Sequence, residues 1–359
     1  YLANVDVRWG SFNLDDLSEM RFEDDERERY GLKYGDLVIC EGGEPGRCAI
    51  WKDQIPNMKI QKALHRVRVH DCLDYRFLYY WFLLAGKTGA LEQYFTGTTI
   101  KHMPGEKLKS VLIDMPPIEV QRHIANILWV YDDLIENNQK QIKLLEEAAQ
   151  RLYKEWFVDL RFPGHENVKI VDGVPEGWQQ QALSEIAYII MGQSPKSEFY
   201  NQNQQGLPFH QGVGSYGERY VMDTTYSTSG TRIAEVGSIL FSVRAPVGRL
   251  NVTKHKIIIG RGLAAINHRA GMQSYLFYLL KERFFKDDIM GNGSIFASIS
   301  KDELLGLKFV VPTNNLVVKF NAIAAPIDEK IANLAEQIEL LTETRDRLLA
   351  KLMSGEIEV

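Results

Sequence analysis

The sequence has few cysteines and no long apolar run. Its three cysteines, Cys40, Cys48 and Cys72, are odd in number, and their spacing matches neither a disulfide framework nor a paired zinc-ligand pattern. No window approaches the roughly 18 consecutive apolar residues that a membrane span needs, and no basic segment followed by an apolar one opens the sequence. These absences predict reduced, structural thiols and a soluble, cytoplasmic protein that does not enter a membrane.

Motifs of several enzyme classes are missing as well. The eight histidines include no pair four residues apart around a glutamate, so no metal site is expected. Asp114–Ile118 resembles the Asp/Asn-Pro-Pro-aromatic turn of amino-methyltransferases, but Met115 interrupts it, Ile118 replaces the aromatic residue, and no glycine-rich cofactor turn precedes it. Gly86–Thr88 resembles the end of a phosphate loop, but Trp81 stands where the first glycine should be. We therefore expect no catalytic residue and no cofactor on this chain.

The charge is distributed unevenly along the chain. A formal net charge of -5 argues mildly against binding to nucleic acid, since affinity for phosphates comes mainly from cations. However, no acidic residue lies between Glu235 and Glu282, and none lies between Asp53 and Asp71, although both stretches contain several basic residues. A single stretch of this kind is usually a solvated face. Two of them at matching places in a repeat point to a shared function.

An internal repeat is the strongest signal in the sequence. At an offset of 196 residues, matches run without a gap from Leu108 and Leu304, through Asp132 and Asp328, to Leu152 and Leu348. Upstream the offset drifts by a few residues but the order is kept. The corresponding segments there are Gly35–Val38 with Gly237–Leu240, Glu44–Arg47 with Ala245–Arg249, Ile60–Leu64 with Ile259–Leu263, and Leu78–Tyr80 with Leu276–Tyr278. The chain is thus predicted to contain the same unit twice.

Each half consists of a mixed globular part followed by a long helix. The helices are expected from near Ile118 to near Phe157 and from near Asn315 to near Met353, each preceded by proline, which suits a helix start. Their apolar residues recur at spacings of three, four and seven, which is typical of coiled-coil partners. Each helix could instead pack on its own domain. Roughly 40 residues at about 1.5 Å each make a rod of about 60 Å, which is longer than one such domain needs.

The connection between the halves predicts how the helices run. Only the segment from Val158 to Gly177 joins the first helix to the second globular part, and a parallel pair would stretch it almost to its limit. We therefore expect an α+β protein with two pseudo-symmetric α/β domains separated by a long antiparallel two-helix coiled coil. The expected segments are a first domain at 1–115, the first helix at 116–157, a linker at 158–176, a second domain at 177–312 and the second helix at 313–359.

Several phrases of the sequence resemble one family over essentially the whole chain. These phrases are Val174–Trp178 with Leu183, Ser242–Gly248, Gly260–Ile266 and Ser298–Lys301. With the doubled plan, they are similar to the specificity subunits of Type I restriction-modification systems. The first half departs from the pattern, because Tyr1 aligns with Phe209 and no counterpart of Gly177-Trp178 or of the stretch after it is present. The first domain is therefore expected to lack part of its beginning.

The resemblance implies a function and a set of partners. Each globular part would be a target-recognition domain that reads one half of a split sequence in double-stranded DNA. The helices would fix the gap between the halves and dock two modification (methyltransferase) subunits, which restriction (translocase and nuclease) subunits would join. S-adenosylmethionine, ATP and Mg would belong to those partner subunits. The alternatives are a DNA adenine methyltransferase, which a cofactor-binding assay would reveal, and a repeat-built scaffold that binds only protein.

Candidate DNA contacts follow from comparing the two halves. Cations at shared positions should contact phosphates, whereas positions that differ should read base edges. Arg47 with Arg249 and Lys62 with Arg261 form the shared class, for which surface salt bridges are the alternative. The reading class comprises Thr98, Thr99, Lys101 and His102 in the first half and Gln193, Lys196, Gln211, Tyr216, Ser298 and Lys301 in the second. Arg66 and Arg244 complete the set, and His210 is a further possible contact.

Overall fold

A computed structural model describes residues 1–284 and 298–359. The helices are α1 (Asp24–Tyr30), α2 (Tyr75–Thr88), α3 (Gly105–Lys109), α4 (Ile118–Tyr153), α5 (Leu183–Ile186), α6 (Gln273–Phe284), α7 (Lys301–Gly306) and α8 (Asn314–Met353). The strands are β1 (Val7–Arg8), β2 (Ser11–Phe12), β3 (Leu37–Cys40), β4 (Cys48–Ile50), β5 (Leu64–Val67), β6 (Ile170–Val171), β7 (Val174–Pro175), β8 (Gln179–Ala182), β9 (Ala187–Met191), β10 (Tyr200–Asn201), β11 (Leu207–His210), β12 (Tyr226–Ser227), β13 (Ile233–Ala234), β14 (Ile239–Ser242), β15 (Leu250–Val252), β16 (Ile257–Ile259), β17 (Leu263–His268) and β18 (Lys308–Val311). None of these helices is long and apolar enough to cross a membrane.

The chain divides into two compact units. Unit 1 comprises Tyr1–Gln139 and Ala335–Val359, and unit 2 comprises Lys140–Leu334. Each unit therefore contains one mixed domain and a segment of both long helices. The segment 158–176, which was predicted as a linker, carries the β6–β7 hairpin, and its Phe162 is buried in the core of unit 2.

The start of α4 explains the two prolines that precede it. Gln121 is buried, and its Nε2 donates hydrogen bonds to the carbonyl oxygens of Pro116 (2.8 Å) and Cys72 (3.1 Å). Its Oε1 accepts from the backbone N–H of Asp74, the residue that caps α2, at 2.9 Å. These contacts fix the helix start within unit 1 and support helix initiation as the role of Pro116-Pro117. The helix then ends in a π-turn at Lys154–Val158, close to the predicted end.

In unit 1 the segments of α4 and α8 run antiparallel. Asp132 of α4 forms an ion pair with Arg345 of α8. Further along α4, Asn138 donates a hydrogen bond from Nδ2 to Oε1 of Gln337, at 3.3 Å. The residue number rises on α4 while it falls on α8. The predicted antiparallel packing is therefore confirmed within this unit.

In unit 2 the other halves of the same helices are also antiparallel. Arg219 bridges Glu146 of α4 and Asp328 of α8. Seven residues further along α4, the ring centroid of Tyr153 lies 5.7 Å from that of Phe320, which precedes Asp328 on α8. The predicted apolar stripe includes Ile142, Ile331 and Leu334, which are buried. Pro326 lies inside α8, where it removes one helical hydrogen bond, and the sequence pattern had not singled it out.

The two units share three strands of a sheet in the same register, to which unit 2 adds β9. In unit 1, β3 pairs with β4 and β5, and Leu37 faces Val67. In unit 2, β14 pairs with β15 and β17, and Ile239 faces Ile266. Leu37 and Ile239 are 202 residues apart, whereas Val67 and Ile266 are 199 apart, so the drift seen in the sequence reflects short length differences in the loops. The structure confirms the repeat upstream of the helices.

A tyrosine links the sheet domain to the long helices in both units. Tyr80 of α2 donates its hydroxyl hydrogen to Asp132 at 2.7 Å, and Tyr278 of α6 donates to Asp328 at 2.9 Å. Both pairs occupy matching positions of the repeat. Burial and the neighbouring carboxylate raise the pKa of both phenols, so the hydroxyls stay protonated and remain donors. Each mixed domain is thus anchored to its helix segment by the same buried hydrogen bond.

The cysteines only partly match the expectation of structural thiols. Cys40 and Cys48 are buried in unit 1, and burial raises the pKa of both thiols. Cys72 is exposed. Its place at the surface gives it no packing role, so the expectation is correct for two of the three.

Candidate nucleic-acid interface

Three chain segments of unit 2 meet where strands β9, β11 and β16 end. These segments are 192–194, 211–212 and 260–262, and we call them the loop cluster of unit 2. The Oγ of Ser194 donates to Oε1 of Gln211 at 2.9 Å and accepts from the backbone N–H of Arg261 at 3.2 Å. One hydroxyl therefore ties together all three loops. The interface they form is exposed at Gln193, Gln211 and Arg261.

Glycine allows these loops to approach each other closely. A Cβ atom on Gly192 would lie 2.1 Å from the carbonyl oxygen of Gly260, and one on Gly262 would lie 2.6 Å from that of Gln211. Both contacts are with backbone atoms, which cannot move aside as a flexible side chain can. The Gly-rich phrase Gly260–Gly262 is therefore needed to pack the loops, and it brings Arg261 to the surface.

Unit 1 builds the same turn with other residues. In unit 2 the backbone N–H of Leu263 donates to Gly260 at 3.0 Å, and in unit 1 that of Leu64 donates to Gln61 at 3.1 Å. The N–H groups of Gly260 and Gln61 in turn donate to His210 (2.8 Å) and Leu2 (3.0 Å). The hydrogen bonds thus repeat although the side chains differ. These bonds show that Leu2 takes in unit 1 the position that His210 takes in unit 2, in agreement with the predicted alignment of Tyr1 with Phe209.

Lys62 and Arg261 lie at the tips of these matching turns. Both side chains are exposed, and within 1–284 and 298–359 neither forms a hydrogen bond or an ion pair through its charged group. Their long side chains reach into solvent from a backbone that is fixed by several hydrogen bonds. Two unpaired cations at the same repeat position are suited to phosphate contact.

A neighbouring position differs between the units in an informative way. In unit 1 the ring of His102 packs over Gly42, where an added Cβ would meet Nδ1 at 2.9 Å. In unit 2 the corresponding backbone positions hold Ser298 and Arg244, which form a β-bridge, and Arg244 is exposed. The large polar side chain therefore lies on different backbone segments in the two units, as His102 in unit 1 and as Arg244 in unit 2. The backbone hydrogen bond beside it is the same in both: the N–H of Met103 donates to the carbonyl of Glu41, and that of Ile299 donates to the carbonyl of Val243. This exchange of side chains gives each unit its own chemistry.

The remaining candidates of unit 1 surround a cavity of about 560 Å³. Thr98, Thr99 and Lys101 line it and are exposed. The Nζ of Lys101 lies 3.5 Å from a carboxylate oxygen of Glu92 and 5.9 Å from the ring centroid of Phe95. Since Glu92 is itself largely exposed, this ion pair is weak and Lys101 remains available.

In unit 2, Gln193, Lys196 and Lys301 are exposed. Lys196 lies 3.9 Å from Glu198, a loose and exposed ion pair. Lys301 begins α7, directly after Ser300, whose side chain caps that helix. The structure brings Gln193, Gln211, Arg244, Arg261 and Ser298 onto connected backbone segments. Lys196 and Lys301 lie on neighbouring segments.

Three of the predicted cations are engaged within the protein. Nη2 of Arg47 donates to the carbonyl of Asn4 at 3.0 Å, and its Nη1 pairs with Glu44 at 3.2 Å. Nη1 of Arg66 donates to the carbonyls of Glu28 and Gly31. Arg249 also has an interaction of its own. The guanidinium groups of Arg47 and Arg66 thus support local structure, which makes Lys62 and Arg261 the stronger candidates for phosphate contact, and the contacts of Arg47, Arg66 and Arg249 with DNA stay predictions.

Two predicted contacts of unit 2 are enclosed. The hydroxyl of Tyr216 is buried with no partner among the described residues, and burial raises its pKa. The side chain of His210 is 1% exposed, with Nδ1 2.7 Å from Ser215 Oγ and Nε2 2.9 Å from Asp223. In this structure Tyr216 packs against the core, and His210 supports the loop from inside. Their contacts with DNA stay predictions.

Sequence reasoning missed the residues that hold the loop cluster of unit 2 in place. Ser194 links three loops, and Asp223 connects His210 with His255, whose Nε2 lies 2.7 Å from its carboxylate. Burial opposes the charge on Asp223, but the hydrogen bond from His210 and the nearby His255 outweigh it and hold its pKa below the usual value. These residues are far apart in the sequence and have no recognisable spacing. Only the chain phrase around Gly260–Gly262 hinted at a loop cluster.

The domain-and-helix plan occurs twice in the chain, with a matching exposed turn in each unit. A family model described as the Type I restriction modification DNA specificity domain matches residues 9–147 and 175–346. The chain therefore belongs to this family. The two matched ranges correspond to the two halves of the internal repeat.

Individual relatives are consistent with this membership. A putative type I restriction enzyme MjaX specificity subunit from Methanocaldococcus jannaschii is 33% identical over 259 residues, covering 70% of this chain and 61% of that protein, less than two thirds of its length. The type I restriction enzyme MjaIX specificity subunit of the same organism is 28% identical over 341 residues, covering 90% of this chain and 78% of that protein. The S subunit of a Type-I restriction-modification system from M. genitalium shares the fold, with a TM-score of 0.54 and 20% identity over 90% of this chain and 84% of that one.

Proposed function

We propose that this chain is the DNA-specificity subunit of a Type I restriction-modification enzyme. Each unit reads one half of a split target in double-stranded DNA, and the two long helices set the length of the gap between the halves. The observation that supports this proposal best is the repeated turn that presents Lys62 in unit 1 and Arg261 in unit 2. In both units the same backbone turn carries a cation, while the side chains beside it differ. Two domains that read different half-sites require this combination.

A bipartite target is the first expected result. The genome of a strain that carries this subunit with its modification partners should be methylated at a motif of two short half-sites separated by a gap of fixed length. The physical reason is that two recognition domains on continuous helices can engage together only at one separation. Sequencing the methylated bases tests this. A continuous short motif, or a gap that varies from site to site, would count against the proposal.

The cations at the turn tips are expected to act independently of sequence. Changing Lys62 or Arg261 to alanine in the assembled methyltransferase should weaken binding about equally on cognate and non-cognate duplexes. The slope of log affinity against log salt should fall by about one unit, because one phosphate contact is lost. The measurement is a salt titration of affinity. Lys169→Ala, which removes an exposed lysine of segment 158–176 that is not among the candidate DNA contacts, is a matched control for charge.

Arg244 and His102 should behave in the opposite way. Arg244→Ala should cost on the order of 1 to 3 kcal/mol on cognate DNA alone and relax selectivity in the half-site read by unit 2, and His102→Ala should do so in the other half-site. Lys101→Ala and Gln211→Ala are expected to follow the same division. Duplexes mismatched in one half-site separate the two effects. If Arg261→Ala changed selectivity and left the salt slope unaltered, the division into shared and reading positions would be wrong.

The long helices provide the surface for the partner subunits. Ile127, Val130 and Leu134 form an exposed apolar stripe on the unit 1 segment of α4, and Ile323 on the unit 2 segment of α8 occupies the repeat position of Ile127. The exposed isoleucine that the two halves share at this position favours two copies of one partner, which we propose to be two modification subunits, with restriction subunits joining them. In this assembly the partner subunits bind S-adenosylmethionine, ATP and Mg, and this chain contributes recognition and no catalytic residue.

Two other functions make different predictions. A DNA adenine methyltransferase would bind S-adenosylmethionine as an isolated chain, which calorimetry would detect. If the chain were a scaffold that binds only protein, its complex would still assemble after Lys62 and Arg261 are both replaced. The DNA affinity of that complex would then stay unchanged. The exposed, unpaired state of these two cations favours DNA binding over the scaffold.

A further inference from the structure

The side-chain amide of Gln211 is held in one place although the residue is exposed. Gln211 directly follows β11, and its Oε1 accepts a hydrogen bond from the Oγ of Ser194 at 2.9 Å. Gly260 lies against the same oxygen, because a Cβ atom on Gly260 would meet Oε1 at 2.9 Å. Any side chain at position 260 would therefore push the amide away. The loop cluster of unit 2 holds the oxygen end of this amide toward the protein.

Ser194 determines which end of the amide faces inward. Its Oγ already accepts a hydrogen bond from the backbone N–H of Arg261 at 3.2 Å, so its own hydrogen needs an acceptor. The amide oxygen of Gln211 is an acceptor, whereas the amide nitrogen is not. If the amide were turned over, two donors would face one hydroxyl oxygen and the hydroxyl hydrogen would lose its partner. The network therefore keeps Oε1 inward and Nε2 outward.

The hydroxyl of Ser194 is itself fixed by the backbone on both sides of it. Before it, the N–H of Gln193 donates to the carbonyl of Ile259 at 2.9 Å. After it, the carbonyl of Pro195 accepts from the hydroxyl of Tyr200, also at 2.9 Å. The direction of the hydroxyl is thus set before any ligand arrives. A ligand that binds Gln211 does not have to order this side chain first, which reduces the entropic cost of binding.

The outward end of Gln211 offers donors and no acceptor. Within residues 1–284 and 298–359, Nε2 of Gln211 has no hydrogen-bond partner. A glutamine reads adenine through both amide atoms, because adenine presents a donor and an acceptor in the major groove. With Oε1 engaged, the donor of adenine would find no partner, and the donor of cytosine would face another donor. Guanine presents two acceptors, N7 and O6, and thymine only one, so guanine suits this side chain best.

We propose that Ser194 is a positioning residue that holds Gln211 as a pure hydrogen-bond donor, so that unit 2 reads a guanine at one position of its half-site. This inference rests on the proposed function in DNA recognition and adds which base Gln211 reads. In unit 1 the matching position is Ala3, since Leu2 takes the position of His210. Alanine has no polar side-chain atom, so the guanine contact belongs to one half-site alone.

Sequencing of methylated bases, with the assembled methyltransferase carrying each variant of this chain, is the first test. Gln211→Met, which keeps the length of the side chain and removes its donors, should relax one position of the unit 2 half-site, and that position should be guanine in the unaltered enzyme. Ser194→Ala should relax the same position toward adenine, because the freed amide can then offer both of its atoms. Every other position should stay as it was.

Ser194→Thr is the matched control, because it keeps a hydroxyl at the same place. A residue before proline is restricted to extended backbone, which threonine adopts readily. The preference for guanine should therefore survive in Ser194→Thr. If it is lost there as in Ser194→Ala, the hydroxyl is not its cause and the inference is overturned.

Binding to modified duplexes separates positioning from a general loss of structure. Replacing the guanine with 7-deazaguanine removes the N7 acceptor and should weaken binding of the unaltered enzyme by about fivefold to tenfold, as expected for one hydrogen bond. The same replacement should have no effect on Gln211→Met. In Ser194→Ala the ratio of affinities for guanine and adenine should fall from roughly tenfold or more to near one, while the salt slope stays unchanged because Arg261 remains. A purely structural defect would weaken binding to all duplexes alike and leave that ratio intact.

The inference is overturned if Gln211→Met relaxes no position, if the relaxed position is not guanine, or if Ser194→Ala keeps the guanine preference. In each of these cases a bipartite motif in the unaltered enzyme would still support the proposed function. An unaltered enzyme that methylates without any sequence preference would instead overturn the proposed function, and this inference with it.

Discussion

Replacing Arg219 with alanine is expected to lower the free energy of unfolding of unit 2 by about 3 to 5 kcal/mol. Its side chain is 6% exposed and pairs with Glu146 at 3.2 Å and Asp328 at 2.6 Å. Its guanidinium carbon lies 3.8 Å from the ring centroid of Phe277. Burial opposes the charge on Arg219, but Asp328, with Tyr278 and Glu146, outweighs it and raises the pKa. Alanine would leave two carboxylates without their main cation, and α4, α6 and α8 would lose the contact they share.

The loss should be confined to unit 2, so it is best measured as hydrogen exchange resolved by segment under increasing denaturant. Arg161→Ala, which removes an exposed arginine paired with Glu155, should leave the stability unchanged. The triple variant Arg219→Met, Glu146→Gln, Asp328→Asn should recover at least half of the loss, because no buried charge remains. A loss below about 1 kcal/mol, or an equal loss in unit 1, would show that this ion-pair cluster does not hold the unit together.

Aspartate on the exposed helix stripe should remove one modification subunit at a time. Ile127→Asp with Leu134→Asp in unit 1 is expected to weaken docking at one site by at least about 2 kcal/mol, roughly thirtyfold, because a carboxylate would be buried in an apolar contact. Ile323→Asp should weaken docking at the other site. At working concentrations the complex should then contain one modification subunit, and none when all three changes are combined.

Native mass spectrometry of the assembled complex gives this stoichiometry directly. The control is Val236→Asp, an equally apolar position that is 63% exposed but lies in a loop away from both helices. Two bound modification subunits in the combined variant would place the docking surface elsewhere. Loss of both subunits from the change in unit 1 alone would instead mean that the two sites are coupled.

The helices were the part of the fold most fully predicted from the sequence. Ile118 was predicted as the first start and is the observed one, and the second helix begins at Asn314, one residue from the prediction. Such long periodic segments carry their own signal, since the apolar stripe recurs many times. The details of the two helices were harder to predict. The π-turn at Lys154–Val158 and the continuation of α8 through Pro326 depend on the packing around them and not on periodicity. The two-residue strands of unit 2, such as β10 and β12, are too short to show an alternating pattern.

The candidate interface was predicted in part. Comparing the two halves singled out Lys62 and Arg261, which the structure places exposed at the same turn. The same comparison also chose Arg47, whose guanidinium is held by Asn4 and Glu44, and it offered Tyr216, whose hydroxyl is buried. A repeat shows which positions correspond, but it cannot show which way a side chain points, because that depends on residues distant in sequence.

The sequence by itself determined the doubled plan, the two helices and the family, because a repeated period and a repeated set of phrases survive without any knowledge of contacts. The tertiary structure decided which polar groups are available. Ser194 joins three loops, and Asp223 fixes His210 from the inside, through hydrogen bonds between residues many positions apart. The physical reason is that hydrogen bonds and burial depend on neighbours in space, and those neighbours exist only once the chain has folded.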